Sequence, residues 1–184
     1  MILGSFALTV ALVAADEEFL RAGKDVPIPQ RVEHAAPPYP DIARRVVPFI
    51  MGIVVLDVGT NEHGKVIDIK VVRGSPFLAG PTVEAAKKWT YAPTLVEGVP
   101  KRVALAEVVE MFPDDSSRSD YFLDMLKNRK ESPPYRLLAL ERLQGATGKK
   151  LEKVQSTLSK LSKDEPDGTI RTAAVEALQR LGVK

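Results

Sequence analysis

Two apolar segments separated by a short polar turn constrain the fold of this chain more than any other feature. Residues 53–58 read IVVLDV, and residues 66–73 alternate apolar and polar side chains. The apolar side chains of the second segment that share one face are Ile67, Ile69 and Val71. A period of two is typical of a half-buried strand. Residues 61–64, N-E-H-G, supply a turn with a glycine available for positive φ. The sequence therefore predicts an antiparallel hairpin.

Helices are predicted on both sides of this hairpin. A short helix begins near Asp41, since a carboxylate is favoured at a helix N-terminus, and ends at Pro48. A second helix is predicted to begin at Gly80-Pro81, because proline is tolerated in the first turn. Its inner face continues to Trp89, which we expect in the core. Residues 102–112 are predicted to form a third strand.

A series of short motifs follows the same order. They are Y-P-x-x-A at 39–43, N-E-H-G-K-V at 61–66, V-V-R-G-S at 71–75, E-A-A-K-K-W-T-Y-A-P at 84–93 and G-V-P at 98–100. In this order and spacing, residues 31–115 resemble the TonB C-terminal domain family. The resemblance implies an α+β fold with two helices on a three-stranded antiparallel sheet. It also implies a non-enzymatic periplasmic protein that serves TonB-dependent transport.

The resemblance implies a partner as well. This is an outer-membrane TonB-dependent receptor, or another periplasmic protein, of which an extended segment is captured by strand addition. The third strand comes last in the domain and can form a sheet edge with unpaired main-chain groups. The residues predicted to contact the partner are Arg102, Val103, Leu105, Val108 and Val109. Three alternatives stay open: the strand merely closes the sheet, it pairs within a homodimer, or the chain is a soluble periplasmic adaptor without energy coupling.

Residues 119–184 repeat at an offset of 35. Leu123 falls on Leu158, and Arg136 falls on Arg171. Each copy is predicted to be helix, loop, helix, and the pair resembles HEAT repeats. Because such arrays need about three copies for stability, we expect the pair to pack on the preceding domain or to self-associate. The open alternative is an unrelated four-helix appendage.

The N-terminus is predicted to direct export. Residues 1–15 are uncharged and largely apolar, which is short for a membrane span and suits a signal peptide or a short anchor. Residues 16–30 form a predicted linker. Membrane contact is expected only through this N-terminal segment, and the expected location is the periplasm.

Charge and composition argue against catalysis and nucleic-acid binding. Residues 1–126 hold 13 Lys/Arg and 17 Asp/Glu, whereas residues 127–184 hold 13 and 7. Aromatic residues are not paired with the basic ones as they are in proteins that bind single-stranded nucleic acid, so a solvated helical face is favoured over nucleic-acid binding.

No catalytic, cofactor or metal site is predicted. The chain has no cysteine, and its two histidines, His34 and His63, are expected in solvated loops. Asp57 begins a D-V-G-T sequence close to the aspartic-protease signature, but Val58 stands where a hydroxyl is needed. A hydrolase is therefore the least favoured hypothesis.

Overall fold

A computed structural model describes residues 19–45 and 50–181 of the chain. The predicted signal peptide or anchor, residues 1–15, lies outside the described residues. So does Pro48, the predicted end of the first helix. Within the described ranges, no helix combines the length and apolarity needed to cross a bilayer.

Strands and helices of an α+β protein fill the described residues. The strands are β1 (Leu20–Arg21), β2 (Arg31–Glu33), β3 (Gly52–Thr60), β4 (Val66–Arg73), β5 (Thr90–Tyr91), β6 (Thr94–Val96), β7 (Val99–Lys101) and β8 (Val103–Met111). The helices are α1 (Asp41–Arg45), α2 (Pro76–Ala86), α3 (Asp115–Lys127), α4 (Pro133–Leu143), α5 (Gly148–Asp164) and α6 (Gly168–Arg180).

The main sheet has four strands in the spatial order β1-β8-β3-β4. The prediction of three antiparallel strands is wrong in both number and direction, because β1 is a fourth strand and pairs in parallel with β8. Leu20 lies opposite Val103, and Arg21 lies opposite Ala104. A two-residue strand is too short to show a period, which is why this segment falls in the predicted linker. Two smaller antiparallel pairs, β2 with β5 and β6 with β7, complete the strands.

The described residues divide into two compact units, and the chain passes between them several times. One unit holds the described residues up to Ala36 together with Leu56–Lys70 and Ala85–Glu107. The other holds the described parts of Pro37–Val55, Val71–Glu84 and the residues from Val108 onward. Strands β3, β4 and β8 each contribute residues to both units.

Strand β3 is the most buried strand of the sheet. Val54, Leu56 and Val58 are fully buried. A continuous apolar run, rather than an alternation, is typical of a strand that is covered on both faces. The turn to β4 closes with the Asn61 N–H donating to the Lys65 carbonyl at 2.9 Å. Gly64 is required in this turn because its φ is +76° and a Cβ atom there would lie 1.8 Å from the Tyr91 carbonyl oxygen.

Strand β4 lies at one end of the sheet and is more exposed than the alternation predicts. Ile67 is 51% exposed and Val71 is 41% exposed, although both belong to the predicted buried face. The physical reason is position, since β3 is the one strand beside β4 among the described residues.

Helix α2 begins earlier than predicted, at Pro76 instead of at Gly80-Pro81. The first turn forms when the Leu78 and Ala79 N–H groups both donate to the Ser75 carbonyl at 2.9 Å. Pro76 satisfies the first-turn preference equally well, so the sequence offers two possible starts. Trp89 lies beyond the end of the helix and is 1% exposed, which confirms its predicted place in the core.

The described C-terminal residues form the four helices α3–α6, of which α4 and α6 keep the predicted offset. Helix α4 begins at Pro133 and α6 at Gly168, so their starts keep the offset of 35. Ala139 and Ala174, which this offset matches, are both fully buried. The kinship with HEAT repeats stays a prediction, since the structure establishes the arrangement of the helices and not their ancestry.

These helices pack on strand residues. Packing on the preceding domain is one of the two expectations for the pair, beside self-association. Buried side chains of α3–α6 form one apolar cluster with Ile53 and Val55 of β3. Val108 and Phe112 pack against the same cluster. Ion pairs reinforce this contact, because Glu110 of β8 accepts from Arg118 of α3 at 2.5 Å and from Arg142 of α4 at 2.6 Å.

A second charged contact fixes the start of α4. Arg73, the last residue of β4, donates to both carboxylate oxygens of Glu131 at 2.8 and 2.7 Å. Its guanidinium carbon lies 4.2 Å from the centroid of the Tyr135 ring. The hydrogen bonds from Arg73 lower the pKa of Glu131 below its ordinary value.

A buried ion pair joins the two helical copies. Arg136 of α4 donates to both carboxylate oxygens of Glu165 at 2.9 and 2.6 Å. The two side chains are 3% and 1% exposed. The Arg136 Nε–H also donates to the Leu126 carbonyl at 2.9 Å, so the buried guanidinium is well satisfied.

Replacing Glu165 with glutamine should destabilise the helical copies strongly. The change leaves the Arg136 charge buried without its carboxylate, which costs about 3–5 kcal/mol for a pair of this kind. Urea denaturation followed by circular dichroism measures the loss. The matched control is Glu176→Gln, whose partner is Arg180 in an exposed pair, 56% and 59% exposed; its expected cost is below about 0.5 kcal/mol. Equal losses in the two variants would contradict the role of the buried pair.

The same pair gives a pH dependence with a definite sign. The hydrogen bonds from Arg136 lower the pKa of Glu165 in the folded state. The carboxylate therefore stabilises the fold fully above the unfolded pKa of about 4.3, and the stabilisation is lost as the pH falls through the lower folded pKa. Denaturation at pH 6 and pH 3.5 should show a smaller loss on acidification in Glu165→Gln than in the unchanged chain.

Candidate functional site

The main chain of β8 alternates between two neighbours. The Arg102 and Ala104 carbonyls accept from the Leu20 and Ala22 N–H groups at 3.1 and 2.9 Å, so they face β1. The Val103 carbonyl accepts from the Thr60 hydroxyl at 3.1 Å and so faces β3. Because main-chain groups alternate along a strand, those of the even-numbered residues point to the outer edge of β8.

The five residues predicted to contact a partner divide along this alternation. Val103 and Leu105 are 1% and 2% exposed, and Val109 is 8% exposed, with main-chain groups on the β3 side. Arg102 and Val108 turn their main-chain groups to the outer edge. The Arg102 side chain donates to Glu62 at 2.9 Å, and the Val108 side chain packs against the helices.

The residues that the sequence prediction missed are Ala104 and Ala106. Their main-chain groups face the edge, and the Ala106 side chain is exposed. Within the described residues, β1 pairs with β8 only at Val103 and Ala104, so no described strand covers this edge at Ala106. The sequence shows that both residues are small. It does not show the pairing register, which is needed to tell that their main-chain groups face the edge.

Residues 19–22 hold their place beside β8 through a few contacts. Besides the two main-chain hydrogen bonds, Arg21 forms an ion pair with Asp57 at 2.5 Å, with side chains 48% and 31% exposed. The Phe19 ring lies over Gly59, where a Cβ atom would come within 2.8 Å of its Cε1. Each hydrogen bond contributes about 0.5–1.5 kcal/mol and an exposed ion pair about 0–1 kcal/mol, and the contact of the Phe19 ring adds to them.

A buried carboxylate anchors neighbouring parts of the chain to one face of β8. Glu107 is 3% exposed and accepts from the Arg31 Nε–H at 3.1 Å, with a second bond from the Arg31 Nη2. The Tyr91 hydroxyl donates to the same carboxylate at 2.9 Å. Burial and the Glu107 charge both raise the pKa of Tyr91, so the phenol stays protonated and remains a donor.

His34 is not a solvated loop histidine, and that prediction is wrong. Its ring stacks on Trp89 with 3.8 Å between centroids, and its side chain is 22% exposed. The Nε2 atom has no hydrogen-bond partner among the described residues and lies 3.9 Å from Glu107. Burial lowers the pKa of His34. The sequence could not show this, because the proline-rich segment around His34 carries no period that predicts burial. His63, by contrast, is exposed in its turn as predicted.

The described residues offer no cluster of three carboxylate or histidine side chains that could hold a metal ion. Asp57, the residue of the hydrolase hypothesis, is engaged in the ion pair with Arg21. What the outer edge of β8 offers is a row of main-chain donors and acceptors.

Comparison with known proteins gives a match to one protein family over part of the chain. Residues 35–109 match the sequence model of the family described as Gram-negative bacterial TonB protein C-terminal. The matched range contains most of β8 and ends before helices α3–α6. No curated protein matches the chain. Over these residues the chain is similar to the C-terminal domain of TonB proteins, a family that serves transport in the cell envelope and generally interacts with outer-membrane receptors.

Protonation of His34 should weaken the fold as the pH falls. The folded state prefers the neutral ring, because its pKa lies below the unfolded value of about 6.5. The free energy of unfolding therefore decreases from pH 7.5 towards pH 5.5, and Trp89 fluorescence during urea denaturation reports it. His34→Gln should remove most of this decrease. His63→Gln is the control and should keep it; a loss of the pH dependence in the control instead would contradict the assignment.

Proposed function

We propose that this chain is a non-enzymatic, periplasmic, TonB-like binding module. It captures an extended segment of an outer-membrane TonB-dependent receptor by strand addition to the outer edge of β8. The observation that supports this most directly is the short parallel strand β1, since this edge already accepts an added strand at Val103 and Ala104. Main-chain hydrogen bonds would supply the affinity, and side-chain contacts the specificity.

The edge of β8 is favoured over that of β4. Strand β4 also ends the sheet and exposes Ile67 and Val71, so it could accept a strand. However, β8 alone of the two already has a parallel neighbour with defined side-chain contacts. The row of main-chain groups at Ala104 and Ala106 is therefore the better candidate.

A soluble periplasmic adaptor without energy coupling is the second candidate. It is favoured by a groove of about 970 Å³ between α3 and α5, whose lining includes both acidic and basic side chains, among them Asp120, Lys127, Glu152 and Lys160. Such a groove would let the helices bind a second protein independently of β8.

Replacing Ala106 with proline should abolish receptor binding while preserving the fold. The change removes an N–H that points outward and adds no bulk to the core. The probes are synthetic peptides covering the periplasmic N-terminal segments of outer-membrane receptors from the same genome. We expect the affinity to fall about tenfold or more, measured by titration calorimetry.

The control is Lys70→Pro on the edge of β4. Lys65 faces β3 through its carbonyl bond with Asn61, so by alternation the Lys70 N–H points outward. Binding lost in Lys70→Pro and kept in Ala106→Pro would move the site to β4. Binding kept in both would contradict strand addition. A dimer of the unchanged chain that Ala106→Pro makes monomeric would show that β8 pairs with a second copy.

A further inference from the structure

We propose that residues 19–22 are a built-in occupant of the docking edge on β8, and that a partner replaces them by carrying the same pattern: an aromatic side chain two residues before a basic one. The proposal rests on the proposed function, because it takes the β8 edge as the binding site. It adds the chemistry of the segment that the edge selects and the competition that sets its affinity.

The backbone positions coincide. Residues 20 and 22 use the Arg102 and Ala104 carbonyls, which are the first main-chain acceptors at this edge. A partner strand that adds to β8 from its beginning needs the same acceptors. Both cannot bind at once, so the partner's affinity depends on how often residues 19–22 leave.

The side chains show what the edge recognises. Phe19, which directly precedes β1, and Arg21 of β1 are two residues apart and lie on one face, and so do Gly59 and Asp57 on β3. The Phe19 ring uses the space that a side chain at Gly59 would fill. The Arg21 guanidinium meets the Asp57 carboxylate at 2.5 Å. An extended parallel segment with an aromatic residue and a basic residue at this spacing fits both positions.

The segment is built to leave without disturbing the core. Its strand is two residues long, and Arg21 is nearly half exposed. Directly after it, the chain turns away, with the Gly23 N–H donating to the Val26 carbonyl at 2.8 Å and the Arg21 N–H donating to the Asp25 carboxylate at 2.8 Å. Val26 is buried, so the turn has an anchor of its own in addition to its hydrogen bonds with Arg21.

The direct test weakens the resident segment in the full chain and supplies it as a peptide. The variant carries Phe19→Ser and Arg21→Glu, which remove the ring contact with Gly59 and oppose the Asp57 charge. The probe is a fluorescein-labelled synthetic peptide with the sequence of residues 17–24, EEFLRAGK. We expect it to bind the variant about tenfold more tightly than the unchanged chain in fluorescence anisotropy titrations, since the variant has a larger fraction of open edges.

The matched control exchanges the charges. A peptide with glutamate in place of the arginine should bind the variant about tenfold more weakly, and adding Asp57→Lys to the variant should reverse the preference between the two peptides. Equal affinity of the EEFLRAGK peptide for the variant and the unchanged chain would overturn the proposal. Binding that ignores the charge at residue 57 would overturn it as well.

A second measurement needs no variant. Saturating EEFLRAGK peptide should accelerate amide hydrogen exchange at Leu20 and Ala22 of the unchanged chain and leave Val58 in β3 protected. Bound peptide with unchanged exchange at Leu20 and Ala22 would contradict displacement.

The two proposals can fail separately. Receptor peptides that bind in an Ala106-dependent way, with equal affinity for the unchanged chain and the Phe19→Ser, Arg21→Glu variant, would leave the proposed function intact and reject the built-in occupant. Binding of the EEFLRAGK peptide without binding of any receptor peptide would reject the proposed function and leave residues 19–22 as an occupant of the edge.

Discussion

Burial of β3 on both faces is the constraint on which the rest of the structure depends. Nearly every residue of this strand is inaccessible to solvent, and an apolar strand of this kind cannot form one outer layer of a soluble protein. The C-terminal helices meet part of this requirement, since Ile53 and Val55 belong to the helical core cluster. Two helical copies are also fewer than an independent array needs, so strands and helices each lack a surface that the other supplies.

Covering the faces of the sheet leaves its edges as the places where main-chain groups can meet a partner. One face of β8 carries a buried carboxylate, Glu107, whose partners Arg31 and Tyr91 come from other parts of the sequence. At the outer edge lie a short strand, an exposed ion pair between Arg21 and Asp57, and the Phe19 ring over Gly59. A strand that is fixed through one face and only partly covered at its outer edge suits reversible strand addition. Its main-chain groups are already ordered before a partner arrives.

Sequence reasoning succeeded where a period or a motif covers many residues. The β3–β4 hairpin, the core position of Trp89 and the offset between α4 and α6 all follow from such patterns. It failed where the cause is a long-range neighbour. Strand β1 is too short to show a period, and the burial of His34 arises from stacking on a tryptophan that is distant in sequence. The predicted contact residues lie on or directly before β8, but only the pairing with β1 shows that Ala104 and Ala106 turn their main-chain groups to the outer edge.

Cross-linking tests most directly whether the outer edge of β8 is where a partner strand adds. The chain has no cysteine, so single cysteines can be placed at Ala106 on β8 or at Lys70 on β4 without interference. Receptor-segment peptides that carry one cysteine at successive positions would then be oxidised with each variant. We expect disulfides with Ala106→Cys at alternate peptide positions, as the two-residue period of a paired strand requires, and none with Lys70→Cys. Cross-links at Lys70 alone, or at Ala106 without any periodicity, would contradict strand addition to β8.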